Sequence, residues 1–322
     1  MSSLTIRPYG CEEDYSRIRD FLRRVYLLNG RHEHSWPVQR LDYWRWHVVP
    51  NCGAPGVEES TWLWETRSGE IAAILNSENR GEAHLQVSPV HRLPDLEHEM
   101  LETAEGELFK SSSNGKKTLG IWCGVDDRVR FRVLTQRGYS RTGIMEWKRS
   151  RDLAGSVPFS HVPGGFTIRE LGGEEEIPSR SWASWRAFHP ESPDSDYQGW
   201  EWYECIRRMP LYRADLDLVA VAPDGEVAGF CTIWLDELTG SGYFEPVGRR
   251  PEYEKHGLMR SLLLEGMTRL RELGATQATI GGSSFAANVL YASVTDAGSC
   301  DSYEQWRKVW QHEEGATRRC RQ

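Results

Sequence analysis

Short runs in which apolar and polar residues alternate recur along the chain. Between them lie longer stretches where apolar residues return every third or fourth position. Alternation marks strands with one buried face, and the longer period marks amphipathic helices. Thr5, Ile6 and Arg7 read as a short strand, followed by a helix carrying Ile18, Phe21, Leu22 and Tyr26 at helical spacing. Two β-rich runs, residues 61–66 and 70–76, flank Arg67-Ser68-Gly69, and a second pair, 218–222 and 227–234, flanks Pro223-Asp224-Gly225. Glycine between such runs allows the tight reversal of a hairpin. Longer helices are expected over about 93–109 and 257–273, each followed by a strand, at 118–122 and 277–280, and by a shorter helix. The implied order, β-α-α-β-β-β-α-β-α, is that of a mixed α/β fold.

That order occurs twice. Leu4-Thr5-Ile6-Arg7 returns as Phe166-Thr167-Ile168-Arg169 at an offset of 162, and Trp44-Arg45-Trp46-His47 as Trp200-Glu201-Trp202-Tyr203 at 156. Gly69-Glu70-Ile71-Ala72 matches Gly225-Glu226-Val227-Ala228, again at 156, and Glu105-Gly106 matches Glu265-Gly266 at 160. Single echoes of this kind are weak, but an ordered series with nearly constant offset marks a duplication. Residues 150–165 carry three glycines and two prolines with little periodicity, so they read as a linker. The expected division is a first domain over 1–149, a linker over 150–165, a second domain over 166–312 and a tail over 313–322.

Composition narrows the function classes. A chain of 322 residues accommodates two domains, and 39% hydrophobic with 27% charged residues is a globular composition. No run reaches the roughly 18 apolar residues of a membrane helix, and no secretory leader is evident, so a cytoplasmic location is expected. The seven cysteines are scattered and never spaced CxxC, which excludes an obvious zinc or disulfide framework. His32 and His34 lack a third ligand at a helpful spacing, so no metal is expected. The net charge of −8, with no sustained basic stripe, argues against nucleic acid and suits a neutral or cationic small partner.

The layout resembles the GNAT superfamily of acyl-CoA-dependent N-acetyltransferases, and more narrowly the tandem-GNAT proteins of bacteria, the arrangement found in mycothiol synthase. Two such domains, each a twisted central sheet flanked by helices, would account for the whole chain. In that family the turn from the fourth strand into the long helix carries Gln/Arg-x-x-Gly-x-Gly/Ala and holds the CoA pyrophosphate on backbone N–H groups. A helix N-terminus attracts phosphate in any case. The corresponding stretch runs from Gly248 to Arg260, with Gly257 as the central glycine. Glu254 and Met259 depart from the family's outer positions, while Arg249, Arg250, Lys255, His256 and Arg260 supply positive charge. The resemblance implies a CoA site made of Val247, Arg249, Lys255, His256, Gly257, Leu258, Met259, Arg260 and Asn288.

It also implies roles for catalysis. Asn288 and Tyr291 match an Asn-x-x-Tyr pair on a short helix, where the Asn bonds the pantetheine arm and the Tyr protonates the departing thiolate. Beyond them Thr295-Asp296 replaces the family's Gly-Phe. Glu245 is the first choice for general base, on the same strand face as Val247 by alternation, with Glu201, Glu204, His189 and Asp236 as alternatives. Trp185, His189, Glu201 and Trp202 lie where the family's first helices roof the acceptor, and aromatic rings with carboxylates suit an amine. In the first copy Pro94, Glu97 and Glu99 stand at the loop positions, and Phe131 and Leu134 replace Asn and Tyr. That copy is expected to keep the fold without the chemistry. The expected activity is acetyl transfer from acetyl-CoA to a primary amine of a small molecule by a monomer or homodimer. The alternatives are a non-catalytic ligand-binding protein and a GNAT-fold enzyme with altered acyl chemistry.

Overall fold

The computed structural model describes residues 4–254 and 256–311. The first half of the chain forms β1 (Thr5–Pro8), α1 (Glu12–Leu28) and α2 (Val38–Tyr43), then a π-turn at Trp44–Val48 leading into α3 (Val49–Cys52). It continues with α4 (Val57–Ser60), β2 (Thr61–Glu65), β3 (Ile71–Asn76), β4 (Glu82–Val87) and α5 (Pro94–Glu107). β5 (Lys110–Ser111), β6 (Lys116–Gly124), α6 (Arg128–Gln136) and β7 (Ser140–Asp152) follow. The second half repeats the order with β8 (Thr167–Glu170), α7 (Ile177–Phe188), α8 (Tyr203–Arg207), β9 (Asp217–Val221), β10 (Val227–Asp236) and β11 (Ser241–Arg249). It ends with α9 (Leu258–Glu272), β12 (Gln277–Gly282), α10 (Phe285–Ala292) and β13 (Cys300–Gln311). Both hairpins form as the glycines dictate, with Gly69 at φ 80° and Gly225 at φ 89°.

The compact units are not the two contiguous halves. Among the described residues, one unit takes in 4–21, 54–145 and 303–311, and the other 22–53 and 146–302. The expected cut at 149/150 therefore falls inside β7, and residues 150–152 of the expected linker are strand. The cause is strand pairing that no local pattern reveals. In the first unit β13 closes the sheet on β6 from Tyr303↔Gly124 to Gln311↔Lys116, although β13 ends the second repeat. In the second unit β7 pairs β12 from Trp147↔Gly282 to Asp152↔Gln277, although β7 ends the first repeat. The expected tail, 313–322, lies outside the described residues.

The first unit has the antiparallel run β1-β2-β3-β4, joined to β6 in parallel through Glu82↔Gly120 and Ala83↔Ile121. Its core places Leu96, Met100, Leu101 and Ala104 of α5 against the sheet. The second unit has the order β8-β9-β10-β11-β12 and keeps a core on each sheet face. On one face Leu262, Leu263, Met267 and Leu270 of α9 pack on Cys231, Ile233, Phe244, Ala278 and Ile280. Gly266 makes that contact close, since a Cβ there would stand 2.4 Å from Ile233 Cδ1. On the other face, Ile177 and Ala183 of α7 and Tyr203 and Ile206 of α8 cover Phe230, Trp234 and Tyr243. Tyr43 joins that core, with Trp46 and Val48 packed against it, so the first repeat's Trp-rich stretch builds the second unit's layer.

Candidate functional site

The site follows from where two parallel strands part. β11 and β12 pair from Ser241↔Gln277 to Phe244↔Ile280 and no further. Beyond that point, among the described residues, β11 pairs only with β10, through Val247, Gly248 and Arg249, and the end of β12 only with β7, through Gly281 and Gly282. The facing edges of the two strands are left open, which is where a slender polar chain can find hydrogen-bonding backbone. A register shift between Cys231 and Ile233 marks a bulge in β11 at Glu245 and Pro246. The bulge corrects the simple alternation: Phe244 and Val247, three residues apart, both pack on the α9 side. Glu245 and Val247 therefore do not share a face. Glu245 sits half-buried at the bulge, with its carbonyl accepting from the Trp234 indole N–H.

The loop from β11 into α9 ends at Gly257, in the left-handed region at φ 74°, with open space where a Cβ would stand. Among the described residues no side chain caps α9, so its first-turn N–H groups face outward with the positive end of the helix dipole. Glu254 is drawn aside by an ion pair with Arg249 at 3.0 Å. Met259 is 92% buried within the α9 core, as is Leu258 almost completely, so neither side chain crowds the loop. His256 lies exposed with its ring 5.5 Å from Phe166, and Arg260 is exposed on the first turn. Lys255 lies outside the described residues.

On α10, Ser284 caps the helix by accepting from the Ala287 N–H at 3.1 Å, and Tyr291 is buried on the α9 side. A Cβ on Gly282 would stand 3.1 Å from Tyr291 Cε2, so the phenol lies against the end of β12 where the strands part. Burial, with Cys231 and Glu245 adding to it, holds the Tyr291 phenol well above its ordinary value, so it stays protonated at neutral pH. Asn288 accepts from the Arg149 Nε–H at 2.6 Å, so its carbonyl oxygen is engaged within the protein.

Residues 176–293, which include the parted strands, the loop and α10, match the model of the acetyltransferase (GNAT) family. Solved structures extend the likeness over the chain. A GCN5-related N-acetyltransferase from Sphaerobacter thermophilus shares 18% identity at a TM-score of 0.66, covering 96% of each chain. A tandem GNAT protein from the clavulanic acid biosynthesis pathway shares 15% identity at 0.61, covering 95% of this chain and 98% of that one. The chain has a tandem GNAT fold. A GNAT-family acetyltransferase from Colwellia psychrerythraea, 10% identical at a TM-score of 0.60, covers 94% of it. No curated protein matches the sequence.

Within the second unit the expected acceptor residues fall into two groups. On α7, Trp185 stacks on Trp182 at 5.3 Å and on His189 at 5.6 Å, with Tyr197 at their edge. Trp202 instead meets His47 of the first repeat at 5.4 Å, and Glu201 is exposed and accepts from the Trp200 N–H. Two alternative bases are engaged in ion pairs: Asp236 with Arg23 at 2.8 Å, and Glu204 with Arg207 at 3.0 Å. Sequence reasoning missed a buried polar group on the Tyr243 face. Lys148 donates to the Tyr243 hydroxyl at 2.7 Å and pairs with Glu146 at 2.8 Å. Glu33 is buried within reach of Lys148, Arg40, Glu146 and Asp301, and burial pushes its carboxyl up to about 7. His47 is held down to about 4, by burial and then by Arg180. The signal was present only as Lys148 and Glu146 at alternate positions of a strand whose partner was unknown.

The first unit fills the equivalent position with its own ions. Pro94 begins α5, and Glu97 in the first turn is fully buried, accepting from Arg92 Nε at 2.7 Å and Arg130 Nε at 3.2 Å. Asp127 caps α6 and also binds Arg92. Glu99 accepts from the Trp64 indole at 2.9 Å, Phe131 packs edge-on against Trp306, and Leu134 is buried. A carboxylate thus stands at the helix end that a phosphate would otherwise seek. Among the described residues no three His, Cys, Asp or Glu side chains form a metal cluster, and no helix is long and apolar enough to cross a membrane.

Proposed function

We propose that the protein is an acyl-CoA-dependent N-acetyltransferase acting on a primary amine of a small molecule, with its chemistry in the second unit. The observation that carries this reading is the parting of β11 from β12 beyond Phe244 and Ile280, flanked by an uncapped helix N-terminus and a buried, protonated tyrosine. The loop N–H groups around Gly257, with Arg249 and Arg260, would hold the pyrophosphate. Bound there, acetyl-CoA would supply an activated acetyl group.

The chain's own residues would then handle the protons. Glu245, at the bulge and within electrostatic reach of Tyr243 and Tyr291, takes the proton of the attacking amine, directly or through water. Backbone N–H near Val247 polarises the carbonyl. Tyr291 gives its proton to the sulfur, which leaves as a thiol. The aromatic residues Trp185, His189 and Trp202, with Glu201, shape the acceptor side. Two features of the loop support binding of the CoA pyrophosphate. Glu254 is paired off to Arg249 and Met259 is buried, so the two departures from the family's motif leave the backbone approach clear. A thiol-release assay with acetyl-CoA and a panel of primary amines tests the reading. Release dependent on one amine class supports it. Binding of acetyl-CoA without release for any amine favours the non-catalytic alternative.

A further inference from the structure

Gly281 and Gly282 end β12 at the point where it leaves β11, and each is abutted by a side chain from a different face. A Cβ on Gly281 would stand 2.5 Å from Lys148 Cδ and 2.6 Å from its Nζ, while one on Gly282 would meet Tyr291. Lys148 therefore crosses the tip of β12 on the Tyr243 face, and Tyr291 reaches it on the α9 face. Lys148 is 95% buried, yet it does not lose its charge. Burial opposes the ammonium, but Glu146, Tyr243 and Glu33 outweigh it and hold the amine well above its ordinary value. The two side chains thus flank neighbouring residues at the tip of β12, and the Lys148 charge works on the Tyr291 phenol against burial, Cys231 and Glu245. A buried ion of this kind is costly, and an apolar side chain over Gly281 would fill the space without that cost.

We propose that Lys148 is a positioning residue for the general acid, a fixed positive charge that stabilises Tyr291 as it surrenders its proton. This inference rests on the acetyltransferase reading above. In that reaction the amine lone pair forms the C–N bond and the C–S bond breaks, its electron pair leaving on sulfur. The sulfur takes the Tyr291 proton. The phenolate left beside the Lys148 ammonium regains a proton from the one the amine released, so the cycle ends with one amide, one thiol and unchanged side chains. The charge comes from β7, which closes this sheet although it ends the first repeat. The first repeat thereby contributes to the chemistry of the second.

The test is a double-mutant cycle on the full chain with acetyl-CoA and the best amine. Tyr291→Phe is expected to lower kcat about a hundredfold, the low end for general-acid catalysis. Lys148→Met is expected to lower kcat about tenfold, one pKa unit of differential stabilisation, with KM for acetyl-CoA unchanged. In the Tyr291→Phe background, Lys148→Met should cost nothing further. Lys148→Arg keeps the charge and should recover most of the loss. Additive losses overturn the proposal, as does normal turnover in Lys148→Met. Should Lys148→Met fail to fold by thermal melting, Lys148→Arg decides alone: a folded Arg variant as inactive as Tyr291→Phe sinks the idea. An inactive wild-type chain defeats the acetyltransferase reading instead, whereas an active wild type with no coupling defeats only the role of Lys148.

Discussion

The ion cluster in the first unit gives a sharp stability prediction. Glu97 is fully buried and is the shared acceptor of Arg92 and Arg130, the latter 95% buried and bonded in addition to the Leu85 carbonyl at 3.1 Å. Glu97→Gln keeps the size but removes the charge, and it turns one acceptor into an NH2 group facing an arginine donor. Asp127 alone would then balance two guanidinium groups. Losing one partner of a buried pair costs about 3–5 kcal/mol, because the remaining charge is stranded. For a unit of this size that lowers the melting temperature by on the order of 10 °C. Urea unfolding of wild type and variant measures it, with acetyl-CoA affinity expected to stay unchanged because the proposed site lies in the other unit. A loss under 1 kcal/mol would refute the reasoning, showing that the arginines find water or Asp127 equally well.

Gly266→Ala drives a methyl group against Ile233 and Phe244 and should cost about 1–3 kcal/mol by overpacking, read by denaturant titration. Half-buried His47 and buried Glu33 give opposite pH dependences. The His47 imidazole is depressed to about 4, so its contribution is present above about 6.5 and is lost as pH falls toward 4; His47→Gln should flatten that acid limb. The Glu33 carboxyl is raised to about 7, so its contribution is present below about 4.5 and is lost as pH rises through 7; Glu33→Gln should flatten stability over that window. Thermal melts from pH 4 to 8 check both. Gly257→Ala must hold a side chain at φ 74°, which costs about 1–2 kcal/mol and should weaken acetyl-CoA binding measurably by calorimetry.

What was legible in the sequence was local. The hairpins around Gly69 and Gly225, helix α9 with its apolar stripe, and the loop with Gly257 each announce themselves within a dozen residues. The duplication was legible because its echoes keep order. The strand exchange was not, because β7 and β13 read as ordinary closing strands whichever sheet they join. The same blindness hid the site's polar face. Lys148 and Glu33 become neighbours of Tyr243 only once β7 lies beside β12 and residues 22–53 cover the second unit's sheet. The bulge at Glu245 also escaped, since alternation assumes an unbroken ladder, and the extra residue changes which side chains share a face.

Calorimetric titration of the intact chain with acetyl-CoA tests the central claim most directly, that a duplicated fold keeps its chemistry in one unit. The account predicts one site per chain, weakened by Arg260→Glu in the first turn of α9 and indifferent to Glu97→Gln at the first unit's counterpart. Two equivalent sites, a site lost with Glu97→Gln but kept in Arg260→Glu, or no binding up to millimolar ligand would contradict it.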